Sequence, residues 1–334
     1  MSTYIKIGGG QPKYPDCPPL LKQFLQHMIT IDGYSVRTAN TYYVNIRLYF
    51  RYLKMIKRNL DEESYDQISI DDISQNEITD VTKDIVIEYL YFRAGKGDSA
   101  GTRGDKLSAV KQFYNYLIEQ NIMNFNPADG IKRPKIPVRE PKYLTIDECN
   151  KLLNAASARP QAARDTCITV LFLNCGMRIS ELCSVNTTDI IKTGNDEYLL
   201  RIIGKGDKER TVYLNNACLR AIKDWTSVRN TYENLIDKNA LFVSNRTRRR
   251  LSPRNVENII ASELSVAGLK NKGYSPHKLR HTAATLMYDG GADILELKEI
   301  LGHSSTKTTE IYTHVNNKRI RAAVDNNPLN KKGE

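Results

Sequence analysis

The stretch His277-Lys-Leu-Arg280-His281-Thr-Ala-Ala-Thr285 is followed by Leu301-Gly302-His303 and then by Glu310-Ile-Tyr312-Thr-His314. Imidazoles, a guanidinium and a phenol therefore fall inside one short span that otherwise reads as helix. Ser275 and Pro276 mark a helix start, a hydroxyl at the cap and proline at the first helical position. A helix begun there sets His277 and Arg280 three residues apart, on one face. Gly302 reads as the stop of a second helix, Ile294 to Leu301. His303 then sits on a tight turn, and Tyr312 follows in one more helical turn. Arginine is a permanent, bidentate phosphate clamp. Histidine moves protons near neutral pH, and tyrosine can be a covalent nucleophile. The types point to phosphate chemistry without a cluster of carboxylates to hold a metal. Taken alone the stretch also admits a bland reading, since Tyr312 is one of 19 tyrosines and His303 merely follows a helix cap.

The rest of the chain narrows the field. Its 334 residues suggest about two domains. Lys and Arg number 49 against 38 Asp and Glu, a net charge of +11 that favours a polyanionic partner, nucleic acid first. The six cysteines, at 17, 149, 167, 175, 183 and 218, include no Cys-x-x-Cys pair and stand mostly in apolar helical surroundings. They read as buried free thiols of a reducing cytoplasm, neither a disulfide frame nor a zinc site. No signal-peptide-like apolar region opens the chain. The apolar run Cys167 to Met177 is too short for the ~20 residues of a membrane span. We therefore expect a cytoplasmic protein.

The fold class expected is mainly α with a small antiparallel β-sheet, in two domains. Residues 1–17, with Gly8-Gly9-Gly10, read as a flexible N-terminus. Residues 18–129 carry helical patterns opened by Ser35, Thr82 and Ser99 or Asp98, and make a helical domain. Within it, 59–80 is acid-rich and reads as a solvated connection with room for a short helix. Residues 130–142 hold three prolines and five basic residues, Lys132 and Arg133 among them, which argues against packed structure. Extended, that linker spans about 40 Å, enough to cross a duplex. Its composition equally fits a plain connection.

The second domain, 143–334, opens with the capping box Thr145-x-x-Glu148. A helix from Ala162 to Cys175 ends at Gly176, followed by Arg178 and Glu181. Tyr198–Ile203 and Glu209–Leu214 read as strands joined by the turn Gly204-Lys205-Gly206-Asp207. Asn215 caps the helix that carries Trp225. Arg246, Arg248, Arg249 and Arg250 crowd one loop, a pattern that is usually a solvated face and in a basic protein a contact with DNA backbone. His277 and His281 have the four-residue spacing zinc uses. A zincin places Glu directly after its first His, however, where this chain has Lys278.

Assembled, these motifs resemble the tyrosine recombinase family, and most closely its simple Xer-like members. Cys175-Gly-Met-Arg178-Ile-Ser-Glu-Leu182 is similar to the first arginine motif, and Gly204-Lys205-Gly206-Asp-Lys-Glu-Arg210 to the catalytic lysine hairpin. His277-Lys-Leu-Arg280 matches the His-x-x-Arg motif, and Leu301-Gly302-His303 and Ile311-Tyr312-Thr-His314 match the last two. Ser35-Val-Arg-Thr-Ala-Asn-Thr-Tyr42 resembles the family's core-binding domain, and no stretch resembles the arm-binding domain of lambda-type integrases. The resemblance implies a site-specific recombinase that cuts and rejoins DNA through a 3′-phosphotyrosyl link, without ATP, metal or other cofactor. In that scheme Tyr312 is the nucleophile, and Arg178 and Arg280 hold the nonbridging oxygens. Lys205 protonates the leaving 5′ oxygen, His277 accepts the tyrosine proton and His303 donates a hydrogen bond to the phosphate. Glu181 orients Arg178 or caps its helix. The implied partner is double-stranded DNA with inverted half-sites, bound by four protomers on two sites, alone or with a second recombinase. The residues Asn316 to Val324 read as a short amphipathic helix that could fold back on its own domain, and the resemblance implies instead that it docks each protomer on the next. A type IB topoisomerase shares this chemistry, and a non-catalytic DNA-binding protein shares the charge. The compact layout argues against the first and the six intact catalytic types against the second.

Overall fold

The computed structural model describes residues 14–136, 142–194, 197–204 and 209–302. The expected turn residues 205–207, His303, Tyr312, the tail helix and the first thirteen residues lie outside these. The chain divides into two compact units, 1–138 and 139–334.

Among the described residues the first unit contains the α-helices α1 (Pro19–Thr30), α2 (Val36–Lys57), α3 (Gln75–Thr79), α4 (Lys83–Gly95) and α5 (Ala100–Glu119). Local sequence starts most of them. The Ser35 hydroxyl accepts from the Thr38 amide at 3.1 Å, and Ser99 accepts from Thr102 at 3.1 Å. The long helices α2 and α5 pack together through Ile46, Tyr49, Phe50 and Leu53 on one side and Val110, Phe113, Tyr114 and Leu117 on the other. Buried Tyr49 and Tyr114 join hydroxyls at 3.0 Å, and Tyr114 donates onward to the Ile78 carbonyl. These two tyrosines thus enter the core with their hydroxyls satisfied, whereas the buried Tyr89 hydroxyl has no hydrogen-bond partner among the described residues.

Two stretches depart from expectation. The acidic segment 59–80 is no solvated connection. It buries Tyr65, Ile68, Ile70, Ile73 and Ile78 against the core, and Ser74 with Glu77 forms a capping box for α3. Its carboxylates meet the basic end of α2, Asp72 pairing with Lys54 and Arg58, and Glu77 with Arg58. Every third residue or so is apolar, and charge complementarity holds the intervening carboxylates down. The start of the linker is also packed: Ile131 lies on the core, Lys111 donates to its carbonyl, and Arg133 pairs with Asp105. Residues 137–141 lie outside the described structure.

The second unit contains α6 (Ile146–Ser157), α7 (Ala162–Cys175), α8 (Ile179–Ser184), β1 (Ile190–Lys192), β2 (Tyr198–Ile203), β3 (Glu209–Tyr213), α9 (Asn216–Arg229), α10 (Pro253–Val266), α11 (Pro276–Asp289) and α12 (Ile294–Leu301). The sheet is antiparallel in the order β1-β2-β3, with Leu200 opposite Val212 and Ile203 opposite Glu209. β1 escaped the sequence reading because three residues carry no periodicity. Helix α7 is apolar nearly all round and runs through the core between α6, α9 and α11. Trp225 is wholly buried and donates its indole N–H to the Leu241 carbonyl at 2.8 Å. Cys149, Cys167, Cys175, Cys183 and Cys218 are buried and free, whereas Cys17 is half-buried. Among the described residues no helix is long and apolar enough to cross a membrane.

One buried carboxyl in this unit has no counter-charge of its own. Glu263 is 0% exposed and accepts from the Thr169 hydroxyl at 2.7 Å. Burial pushes its pKa up to about 8, Asp165 nearby adding to the rise. Native protein therefore holds a proton that the unfolded chain releases near the ordinary carboxyl value. Stability is full below that value and falls as pH rises towards 8. Glu263→Gln mimics the protonated side chain. It should flatten this dependence and leave the variant more stable at pH 9 by a few kcal/mol, on the order of 4. Urea unfolding at pH 6 and pH 9 checks this, and parallel losses in both proteins would refute it.

Candidate active site

The site grows from the end of α7. Gly176 takes φ +56°, a left-handed turn that stops the helix and lets buried Met177 lead into Arg178. Arg178 sits at the N-cap position of α8, and Glu181 three residues on reaches back to accept its backbone N–H at 2.8 Å. Glu181 is 2% exposed. It accepts from Arg178 Nη1 at 2.7 Å and from Arg210 Nη1 and Nη2 at 3.0 and 2.8 Å, and lies 3.7 Å from Arg280 Nη1. Burial raises its pKa, but the Arg210 and Arg178 donors outweigh burial and hold the carboxyl below its usual range. One ionised carboxylate is thus the hub of three guanidinium groups.

Helix α11 presents the next residues. Pro276 occupies its first turn as expected, but the Ser275 hydroxyl does not cap it, because the backbone there is fully extended, φ −158°. The helix start is instead held by the neighbouring α6: the capping-box carboxylate of Glu148 also accepts from Tyr274 and Lys272, and the Leu144 amide donates to Thr282. Arg280 is 3% exposed. It donates to the Gly176 carbonyl at 2.7 Å and to the Leu301 carbonyl at 2.6 Å. His277 stands on the same face at the surface. Its pKa is lowered, first by burial and then by the positive charges of Lys278, Arg280 and Arg178. The imidazole is therefore neutral at pH 7, able to take up a proton. Its Nε2 lies 3.1 Å from Nε2 of His281, so one ring donates and the other accepts. Among the described residues no third His, Cys, Asp or Glu joins them in a metal-holding group.

Helix α12 closes the cluster. It ends at Gly302, φ +63°, with its last carbonyls turned to the arginines. Arg210 Nε donates to Ile300 O at 2.8 Å, Arg280 to Leu301 O, and Arg178 Nη2 to Gly302 O at 3.4 Å. Three cations meet the negative end of one helix. Arg178, Arg280 and His277 are therefore brought together beside the residue that precedes His303. Arg178 keeps 41% of its side chain exposed, so this guanidinium can reach a phosphate from the surface. Lys205, His303 and Tyr312 lie outside the described residues. Arg210 closes the stretch Gly204–Arg210, and nothing in its spacing signals that it turns inward.

The arginine loop separates into two kinds of residue. Arg250 donates to the carbonyls of Cys183, Ser184 and Val185 and to Asn186 Oδ1, capping the end of α8. Arg248 adopts φ +56° and lies 4.1 Å over the Tyr232 ring. Both are spent on the fold. Arg246 and Arg249 are exposed, as is Lys132 in the first unit.

The comparisons with known proteins agree on one relationship. The model of the phage integrase family matches residues 142–319, and that of the phage integrase N-terminal SAM-like domain matches 21–121. The chain is 42% identical over 318 residues to the tyrosine recombinase XerC of Caldanaerobacter subterraneus subsp. tengcongensis, covering 94% of this chain and 88% of that one. It is 32% identical over 321 residues to the tyrosine recombinase XerC of Thermodesulfovibrio yellowstonii, covering 94% and 98%. Its fold is similar to the crystal structure of the XerH site-specific recombinase bound to palindromic difH substrate in a post-cleavage complex. There the TM-score is 0.69 at 23% identity, over 92% of this chain and 84% of that one.

Proposed function

Because this chain belongs to the phage integrase family of tyrosine recombinases, we propose that its arginine cluster is the phosphate-binding half of a site-specific DNA-rejoining centre. The supporting observation is the Glu181 hub, which holds Arg178 and Arg280 beside the turn before His303. In the proposed reaction the Tyr312 phenol gives its proton to neutral His277 and attacks a backbone phosphorus. Arg178 and Arg280 take the charge that builds on the nonbridging oxygens, with His303 donating beside them. The bond to the 5′ oxygen breaks, and Lys205 protonates that oxygen as it leaves. A 3′-phosphotyrosyl ester and a free 5′-hydroxyl result. One ester replaces another, so the bond energy is retained and rejoining is the same step in reverse with a new 5′-hydroxyl. The family relationship extends over both units, which favours recombination over relaxation by a type IB topoisomerase.

The partner in this reading is double-stranded DNA with inverted half-sites, held by a multimer that we take to be a tetramer, in the cytoplasm. The direct test is a suicide substrate carrying a nick near the scissile phosphate. The protein should form an SDS-resistant adduct on it without ATP or divalent metal. Absence of any adduct on site DNA would overturn the reading.

Exposure selects the residues that contribute to non-specific affinity. Binding of a +11 protein should weaken steeply with salt. Charge reversal at Arg246 and Arg249 together should lower the slope of log affinity against log salt by about two, one phosphate contact each. An unchanged slope would turn that loop away from DNA.

A further inference from the structure

We infer that Arg210 is a positioning residue of the cleavage centre, acting through Glu181 and the end of α12 rather than on DNA. The inference rests on the reading that Arg178 and Arg280 hold the scissile phosphate. Arg210 lies on β3, next to Glu209, which pairs with Ile203 at the described end of the hairpin stem. From there its side chain turns inward and is 10% exposed. It spends three donors on two partners: Nε on the Ile300 carbonyl, Nη1 and Nη2 on the two oxygens of Glu181. Its flat face lies along Gly302, where an added Cβ would stand 3.1 Å from Cδ and Nη1. Gly302 is thus constrained twice, by its left-handed φ of +63° and by this close approach. No other residue in the described cluster joins the hairpin stem, the hub carboxylate and the end of the helix before His303.

The charge balance assigns the second half of the role. A buried carboxylate shared by Arg178 and Arg280 alone would cancel one of the two charges a phosphate needs. Arg210 supplies the bidentate counter-ion for Glu181. Glu181 then orients Arg178 and Arg280 while three positive charges against one negative leave a net two for the substrate. Lysine at 210 could keep the charge but not the fork.

Single-turnover cleavage of a nicked suicide substrate, with half-site binding measured alongside, tests this. Arg210→Met should bind a half-site with near-native affinity and cleave about 10- to 100-fold more slowly, the range for groups that orient a ligand from behind. Arg210→Lys should recover part of the rate. Adding Glu181→Gln to Arg210→Met removes the unbalanced charge and should raise the rate above that of Arg210→Met alone. A merely structural clamp on Ile300 would show no such recovery. Native cleavage by Arg210→Met, or a double variant no faster than that single one, overturns the inference and leaves the recombinase reading standing. Failure of the native protein itself to form an adduct overturns both. Should Arg210→Met not fold, as thermal unfolding would show, Arg210→Gln with and without Glu181→Gln carries the same comparison, since glutamine also lacks the charge.

Discussion

Tyr312→Phe should bind site DNA as the native protein does and form no covalent adduct at all. The substitution removes one oxygen and leaves the ring, so packing and charge are unchanged. The lost atom is the one that would bond to phosphorus, and neither water nor a neighbouring side chain can reproduce a tyrosyl ester. Suicide-substrate trapping, read as an SDS-resistant band, gives the cleanest contrast, because a native band of any size is compared with none. Tyr312 is singled out as the tyrosine following the Gly302-His303 turn, which the arginine cluster adjoins through Gly302. A persistent adduct would move the nucleophile elsewhere, Tyr288 on α11 being the nearest rival in sequence.

Arg280→Ala carries the next largest effect, and it falls on chemistry and stability together. The guanidinium is 3% exposed and ties the end of α7, at the Gly176 carbonyl, to the end of α12, at the Leu301 carbonyl. Removing it strands both carbonyls and takes one cation from the Glu181 hub. Breaking such a buried charged contact costs about 3–5 kcal/mol. Loss of a donor to the developing phosphate charge costs a further factor of about 10²–10³ in cleavage. The two losses separate by experiment: urea unfolding gives the first, and single-turnover cleavage well below the unfolding transition gives the second. Arg280→Lys should regain part of the stability and little of the cleavage, since an ammonium cannot span two carbonyls and a phosphate in one plane. Cleavage within threefold of native for Arg280→Ala would remove this residue from the chemistry.

Much of the architecture was open to reading in one dimension because its causes are local. Ser35, Thr82, Ser99, Thr145, Asn215 and Ser252 cap their helices, each accepting the expected backbone amide, with Ser275 the exception. Gly176 and Gly302 stop helices because the turn needs a left-handed residue. The Ser74-x-x-Glu77 box carries the same local signal, masked by the surrounding carboxylates. Where the reading misjudged, charge was the reason. By composition the acidic stretch 59–80 reads as solvated, yet its apolar residues are buried while Asp72 and Glu77 pair at the surface with the basic end of α2.

What the sequence determined by itself is the set of helices, the two-strand hairpin and the chemical inventory, Arg178, Lys205, His277, Arg280, His303 and Tyr312 at family spacing. These depend on period, caps and residue type, which neighbours in the chain suffice to express. Only the tertiary structure decided which arginines are spent on the fold. Arg250 and Arg248 stand in the same basic run as Arg246 and Arg249, but a helix end and a tyrosine ring claim the first two. In the same way Arg210 became part of the hub of Glu181 only because β3, α8 and α12 converge there. A guanidinium carries the same charge in solvent, on a phosphate or against a carbonyl. Its partner is set by which chain segments fold against it, and that is fixed by long-range packing, beyond the reach of local pattern.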